Sequence, residues 1–398
     1  MTGVTRIRGG VIIDQGRVIP GHEIVMEGGR IVEVRGARSA VERDAVIDVS
    51  GLTIAPGFID IHVHGGLGHD TLDGTPEAIR AMSAQLARHG VTTFVPSTVT
   101  ASRQDISDAI AVVADLGDDV PGARPRGIHL EGPYVARSQA GAQPLEWLRD
   151  PDPEEYLPWF DSGAVSRITV APELPGAREL IVAAVDRGVA TSIGHTACSS
   201  EDARTAIEAG ARQATHVFSG MEPLNHRRPG ALSTILGDAR VYTEAIVDGV
   251  HIHPEMVALL LSIVGDDRLV LVSDAMRAAG MPDGEYALGD QTVVVEGGVT
   301  RRADGGLAGS LLTLDAAIRN IMAFTGRSLP AAVRFATENP SQAMGWNHEI
   351  GSVADSYQAD LVVLDPASNV VMTLVAGRVV FDARQETQSG PTVVRRPA

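Results

Sequence analysis

The sequence predicts an α/β fold: a (β/α)₈ TIM barrel with a small β-sandwich domain formed by both chain termini. The middle of the chain alternates short apolar, β-branched runs with alanine-rich amphipathic segments, which is typical of a parallel sheet whose strands are joined by helices. Eight such runs occur, and eight strand–helix units in one domain most simply form a closed barrel. Both ends of the chain instead contain short strands separated by turns.

The barrel elements are predicted between Ile54 and about Asn339. The eight strands are Gly57–Val63, Thr92–Pro96, Arg126–Glu131, Arg167–Ala171, Ala190–Ile193, Gln213–His216, Tyr242–Val247 and Leu269–Ser273. Helices are predicted at Thr75–His89, Ala177–Arg187, Ser199–Ala209 and Thr313–Phe324. Pro282–Thr300 interrupts the alternation and is predicted to form a hairpin outside the barrel.

The terminal strands are too few on either side to be stable alone, so we expect them to form one domain. They are Arg6–Gly9, Val11–Asp14, Glu23–Glu27 and Ile31–Val34, followed near the other end by Leu361–Leu364, Val370–Val375 and Arg378–Phe381. The predicted boundaries are 1–53 with 355–398 for the sandwich and 54–354 for the barrel.

Composition narrows the functional classes. Of the 398 residues, 44% are hydrophobic, which is enough for a large core. A formal net charge of −17 argues against nucleic acid as a partner. No apolar run approaches the ~18 residues of a membrane span, and the first thirty residues lack an apolar signal core, so no membrane partner is expected. The single cysteine, Cys198, fits a reducing compartment, and we expect a cytoplasmic protein.

Six imidazole and carboxylate side chains are predicted to end barrel strands or to follow them closely. They are His62 and His64 on the first strand, Glu131 on the third, His195 after the fifth, His216 on the sixth and Asp274 after the eighth. Because the carboxyl ends of barrel strands meet on one face, these residues should form one cluster. Buried carboxylates without partners cost several kcal/mol, and a bound divalent cation offsets that cost. The cluster therefore predicts a metal site.

The types of ligand side chain restrict the possible metals but do not identify a single one. Imidazole and carboxylate ligands without thiolates suit Zn, Fe, Mn or Co, and one or two ions per subunit are expected, zinc being the first choice. His62, His64 and Asp274 could hold one ion. His195 and His216 could hold another, with Glu131 coordinating either ion or bridging both. All 33 basic residues are arginine, so a carbamylated lysine cannot bridge two ions.

The predicted site supports hydrolysis. A metal lowers the pKa of its bound water from 15.7 to roughly 7 and so makes hydroxide available at neutral pH. Asp274 is placed to take a proton from that water and to pass it to a departing amine. The residues therefore predict a metal-dependent hydrolase.

Motifs around these residues follow one another along nearly the whole chain. They are Pro56–Gly65, His129–Pro133, Gly194–Thr196, Thr215–His216, Arg227 with Pro229-Gly230, Asp248–His251, Ser273–Ala275 and Leu307–Ser310. The first resembles the first-strand motif of amidohydrolases. His-Leu-Glu-Gly-Pro and Asp-Gly-Val-His resemble, more specifically, the N-acetylglucosamine-6-phosphate deacetylase family of that superfamily.

The resemblance implies an activity and roles for residues. It implies deacetylation of an acetamido sugar phosphate, with Glu131, His195 and His216 holding the main metal and Asp274 as general acid and base. His62 and His64 match members that carry a second ion. Arg227 would reach the 6-phosphate from a neighbouring subunit, which implies a homodimer. The remaining implied substrate contacts are His251, Ala142, Gln143, Ser219, Gly220, Leu307, Ala308 and Gly309.

The sequence departs from the family pattern at two places in the sugar pocket. Gln143 stands where members usually have histidine, and Ser219-Gly220 stands where they usually have Asn-Ala. The substrate could therefore be N-acetylgalactosamine 6-phosphate or an unphosphorylated acetamido sugar. Two more distant alternatives are a nucleobase-type deaminase, which would leave Glu131 unexplained, and a non-catalytic barrel, against which the full ligand set argues.

Overall fold

A computed structural model of the chain describes residues 3–37 and 45–385. Within them, eight parallel strands form a barrel, and each strand after the first pairs with the barrel strand before it in the chain. Their bounds are Phe58–Val63, Val91–Thr98, Ile128–Glu131, Val165–Val170, Ala190–Ile193, Gln213–Ala214, Tyr242–Ala245 and Leu269–Leu271. The predicted barrel and its eight strands are confirmed.

The barrel closes between its last strand and its first. There the backbone NH of Asp274 donates to the carbonyl of His62 at 2.9 Å. At the opposite end of this seam lie Phe335 and Ala336, whose carbonyls each accept a backbone hydrogen bond of 2.8 Å, one from the last strand and one from the first. Closure places the carboxyl ends of all eight strands on one rim.

Helices surround the barrel and pack their apolar faces on the strands. Their bounds are Pro76–Arg88, Arg103–Leu116, Pro153–Asp161, Ala177–Asp186, Ser200–Ala209, Gly230–Gly237, Pro254–Val264, Leu314–Thr325, Leu329–Arg334 and Glu338–Ala343. Several begin where the sequence provides a cap: the Ser199 side chain accepts from the backbone NH of Asp202, whose carboxylate accepts from the backbone NH of Ser199. In the described part of the chain, no helix is both long enough and apolar enough to cross a bilayer.

Both termini build a β-sandwich, as predicted. One sheet contains, in order, Arg30–Gly36, His22–Glu27, Thr5–Arg8 and Ala45–Asp48; the other contains Arg378–Asp382, Val370–Val375, Leu361–Leu364, Thr53–Pro56, Val11–Asp14 and Arg17–Ile19. Apolar side chains from both sheets, including Ile7, Ile24 and Leu374, form its core. The predicted domain boundaries stay a prediction, and residues 1–2, 38–44 and 386–398 of the predicted sandwich lie outside the described residues.

The predicted hairpin outside the barrel is a three-stranded antiparallel sheet. Its strands are Gly284–Leu288, Gln291–Glu296 and Val299–Arg302. The prediction missed the third strand because its sequence, Val-Thr-Arg-Arg, has little apolar character. Buried Leu288, Val293 and Val295 pack against Val99 and Met276 near the rim of the barrel. The small sheet therefore forms a wall beside the carboxyl ends of the strands.

Candidate active site

The six predicted ligand residues come together on the rim, and all are buried. The structure forms two groups of three whose ligand atoms lie within 4.8 Å of one another: His62, His64 and Glu131, and Glu131, His195 and His216. Glu131 belongs to both groups. Asp274 lies beside the first, with Oδ1 3.1 Å from His64 Nε2 and 3.4 Å from His62 Nε2.

Hydrogen bonds on the outer side of the histidine rings orient their inner nitrogens. His64 Nδ1 lies 3.1 Å from the carbonyl of Ser97, and His195 Nδ1 lies 2.8 Å from the carbonyl of Gln139. A carbonyl can only accept, so each Nδ1 carries the proton and a neutral ring presents a lone pair at Nε2. The Nε2 atoms lie 3.3 and 3.2 Å from Glu131 oxygens. Each of these contacts needs either a proton or a cation between the nitrogen and the oxygen, so the donor set fits a metal ion.

A buried carboxylate behind the ligands connects both groups. Glu244 Oε2 lies 3.2 Å from His62 Nδ1, and it also accepts from the backbone NH of His216 at 3.1 Å. Glu244 Oε1 pairs with the fully buried guanidinium of Arg167. Ligand histidines in metal sites usually donate their second nitrogen to such a carboxylate. The sequence analysis missed this pair, whose only signal was two charged residues within predicted barrel strands.

The electrostatics of the cluster favour a positive charge at its centre. Burial lowers the pKa of His62, but the carboxylates of Glu131 and Asp274 outweigh burial and raise it to about 9. Burial raises the pKa of Asp274, but His62 and His64 outweigh it and hold that pKa at about 2. The carboxylates are thus ionised next to protonated imidazoles, and a divalent cation can replace those protons.

Three of the ligand-type residues have strained backbones. His195, His216 and Asp274 have φ of 46°, 22° and 48°, in the left-handed region that side chains with a Cβ disfavour. Such conformations cost about 1–3 kcal/mol each and persist only where the surroundings hold them. Here Asp274 is held by backbone hydrogen bonds to His62 and from Ser310. The fold therefore directs these side chains inward at the expense of backbone energy.

A cavity of about 320 Å³ opens above the ligands. Its wall includes seven of the nine predicted substrate contacts: Ala142, Gln143, Ser219, Gly220, His251, Leu307 and Gly309. The other two do not line it. Ala308 is buried behind the wall, against Met276, and Arg227 lies in an exposed loop.

Two lining residues have defined partners. His251 Nδ1 lies 2.7 Å from the Asp248 carboxylate, so the Asp248 side chain fixes the ring and leaves Nε2 free for another contact. Burial lowers the pKa of His251, but Asp248 outweighs burial and raises it. Gln143 donates from Nε2 to Glu131 Oε2 at 2.8 Å, and its carbonyl accepts from the Thr100 backbone NH at 2.6 Å. The Gln143 amide thus holds a predicted metal ligand.

Sequence reasoning missed other residues of the cavity wall. These are Val99 after the second barrel strand, Gly141, and Leu288, Arg302 and Gly306 from the three-stranded sheet and the loop after it. Arg302 is the only arginine that lines the cavity among the described residues. No sequence signal distinguished it from its neighbour Arg301.

Comparison with known proteins places the chain in a family. Residues 53–380 match the amidohydrolase family. N-acetylglucosamine-6-phosphate deacetylase from Bacillus subtilis is 34% identical over 95% of this chain and 97% of its own length, and N-acetylgalactosamine-6-phosphate deacetylase from Escherichia coli O157:H7 is 37% identical over 86% and 89%. A mutant N-acetylglucosamine-6-phosphate deacetylase from Mycobacterium smegmatis, solved with N-acetyl-D-glucosamine-6-phosphate, has a TM-score of 0.86 at 34% identity, covering 95% of this chain and 99% of the other. The chain belongs to the amidohydrolase family and, within it, to the N-acetylglucosamine-6-phosphate deacetylase family.

Proposed function

We propose that the protein hydrolyses the acetamide of N-acetylglucosamine 6-phosphate to glucosamine 6-phosphate and acetate, in amino-sugar metabolism. The observation that carries the proposal is the pair of ligand groups sharing Glu131 at the floor of the cavity, with Asp274 beside them. Relatives that match nearly the whole chain have this activity by name. The two groups also support metal dependence, with zinc as the proposed ion.

Different residues of the site have different roles in amide hydrolysis. When bound, a divalent ion supplies a Lewis acid for the amide carbonyl and activates a water molecule. Glu131, His195 and His216 would hold one ion, and His62 and His64 with Glu131 could hold a second. Asp274, ionised in the resting site, takes the proton of the attacking water and passes it to the departing amine. His251, oriented by Asp248, presents Nε2 to the substrate.

N-acetylgalactosamine 6-phosphate is the second candidate substrate. The relative that deacetylates that sugar is 37% identical to this chain, and Gln143, Ser219 and Gly220 all line the cavity. Because Gln143 already binds Glu131, its amide has less capacity left for a sugar hydroxyl.

A substrate panel tests the proposed function. The purified protein is incubated with N-acetylglucosamine, N-acetylgalactosamine and both 6-phosphates, and released acetate is measured by mass spectrometry. We expect the highest kcat/KM with N-acetylglucosamine 6-phosphate. A higher kcat/KM with N-acetylgalactosamine 6-phosphate would identify that sugar as the substrate instead. Absence of acetate from all four sugars would reject the deacetylase assignment.

Arg227 is proposed to bind the 6-phosphate from the neighbouring subunit of a cytoplasmic homodimer. Arginine matches phosphate geometry, and one charge-assisted contact is worth roughly 1.5–3 kcal/mol. Arg227→Ala should therefore raise KM for the phosphorylated sugar about tenfold or more and leave the unphosphorylated sugar unaffected. Arg228→Ala is the matched control, since both residues follow Asn225, whose side chain accepts from both backbone NH groups.

Co-expression of two defective chains tests whether Arg227 acts across subunits. A chain with Arg227→Ala keeps its own Asp274, and a chain with Asp274→Asn keeps its own Arg227. In a mixed dimer, the first chain's site would receive Arg227 from the second, so activity should recover. Absence of recovery in a verified mixed dimer would contradict this arrangement.

A further inference from the structure

The wall formed by the three-stranded sheet contains an arginine, Arg302. Neither the proposed metal chemistry nor the proposed phosphate contact of Arg227 gives this arginine a role. Arg302 ends the strand Val299–Arg302 and lines the cavity above the ligands. It also lines an outer groove of about 650 Å³ that shares Gly141 and Gln143 with the cavity. Arg302 therefore lies where the cavity meets the groove, whereas the ligand residues Glu131 and His216 line the cavity alone.

The guanidinium of Arg302 is held in place but retains free donors. Nε and Nη2 donate to the Asp304 carboxylate at 3.2 and 2.9 Å, and the described residues offer no partner to Nη1. The Asp304 side chain is 65% exposed, so solvent screens this pair and the arginine keeps most of its attraction for another anion. The backbone NH of Arg302 also donates to the carbonyl of Gly306 at 2.8 Å, which fixes the strand end against the loop.

The position of Arg302 suits the distal end of a substrate. The reacting acetamide must lie at the ligands, and in a hexosamine 6-phosphate the acetamide on C2 and the phosphate on C6 point away from each other across the ring. The phosphate therefore points away from Glu131 and Asp274, whose negative charges would repel it. Within the described chain, the cavity wall offers this phosphate a single arginine.

We propose that Arg302 is a specificity-determining residue that binds the phosphate monoester of the substrate from within the same chain. The inference rests on the proposed function and adds a contact to it. A fork of guanidinium donors matches phosphate oxygens, and Asp304 pre-orients that fork. Two cations, Arg302 from the same chain and Arg227 from the neighbour, would then hold one phosphate.

Single substitutions at neighbouring arginines test the proposal. Arg302→Ala should raise KM for N-acetylglucosamine 6-phosphate about tenfold or more, with kcat nearly unchanged and with no change for N-acetylglucosamine. Arg301→Ala is the matched control, because Arg301 is exposed on the same strand and its guanidinium donates to the carbonyl of Gly305. We expect that control to behave as wild type. Arg302→Lys, which keeps the charge without the fork, should have an intermediate effect.

A binding measurement separates substrate recognition from catalysis. Calorimetric titration with the product, glucosamine 6-phosphate, should give a Kd about tenfold weaker for Arg302→Ala than for wild type, whereas glucosamine should show no difference. An unchanged KM and Kd for the phosphorylated sugars would overturn the proposal and leave Arg302 as a structural partner of Asp304. That result is distinct from failure of the proposed function, in which wild-type protein releases no acetate from any sugar of the panel.

The mixed-dimer experiment also distinguishes the two arginines. Co-expressing Arg302→Ala with Asp274→Asn gives a dimer in which the only site with Asp274 still lacks its own Arg302. KM for the phosphorylated sugar should therefore remain raised. Recovery of wild-type KM in that mixed dimer would show that the neighbouring subunit supplies Arg302, which contradicts binding from the same chain.

Discussion

Removing bound metal should abolish amide hydrolysis, and restoring a divalent ion should recover it. Four imidazole rings and two carboxylates converge at the floor of the cavity, and without a cation they hold only protons. We expect at least a ~100-fold loss of kcat after prolonged chelation, because no nucleophilic water would be activated at neutral pH. Zn, Fe, Mn and Co should be added back separately, with elemental analysis of each preparation. The metal giving the highest kcat would be identified in the same series.

Substitution of a predicted metal-ligand residue should show that the loss of activity after chelation arises at the proposed site. His216→Ala should lower the metal content and the activity together, while circular dichroism stays that of wild type, because the barrel core consists of apolar side chains rather than the ion. His348→Ala is the control, since the His348 side chain is 70% exposed and lies outside the cluster. A fully active preparation with no metal by elemental analysis would refute the mechanism.

Asp274→Asn should reduce kcat by at least about 10²-fold, in line with general acid–base contributions. The introduced asparagine side chain has nearly the shape of aspartate, but its amide cannot take a proton from the attacking water. KM should change much less than kcat, because other residues hold the sugar. The readouts are steady-state kinetics and metal content, since His64 and Asp274 lie 3.1 Å apart and the variant must be shown to retain its ions.

A second buried aspartate provides the control for this substitution. Asp315 is buried and pairs with His89 and Arg319 away from the cavity, so Asp315→Asn should lower stability and leave kcat unchanged. If the Asp274→Asn enzyme with full metal content kept wild-type kcat, then another group must move the proton and the assigned role would be wrong.

The ends of the barrel strands were the most predictable part of the molecule. Buried strands are short apolar runs, and a histidine or carboxylate directly after such a run is conspicuous in the sequence. The strands ending at Val63 and Glu131, for example, match their predicted ends. Because strand ends converge in a barrel, the ligand cluster followed from the fold class alone.

The cavity wall and the layer beneath the ligands were not predictable in the same way. Arg301 and Arg302 are identical in type and adjacent, and only the course of the strand decides which one lines the cavity. Glu244 and Arg167 are distant in sequence and meet only because the barrel is closed. Gln143 lines the cavity, and its role in binding sugar stays a prediction, but its hydrogen bond to Glu131 could not be foreseen because the two side chains meet only in the folded barrel.

The site is complete only when the last barrel strand meets the first, so its formation depends on a late step of folding. The hydrogen bond from Asp274 to His62 connects two residues of the predicted site that lie more than 200 positions apart, across the gap between the last barrel strand and the first. Contacts of such long sequence separation form late, because the closure entropy of the intervening chain must be overcome first. Recovery of activity during refolding should therefore lag behind the recovery of helical signal, and interrupted-refolding assays of acetate release would time the closure of the barrel. A nascent chain still lacking its eighth strand would contain both groups of ligand-type side chains but no Asp274, so it could bind metal without releasing acetate.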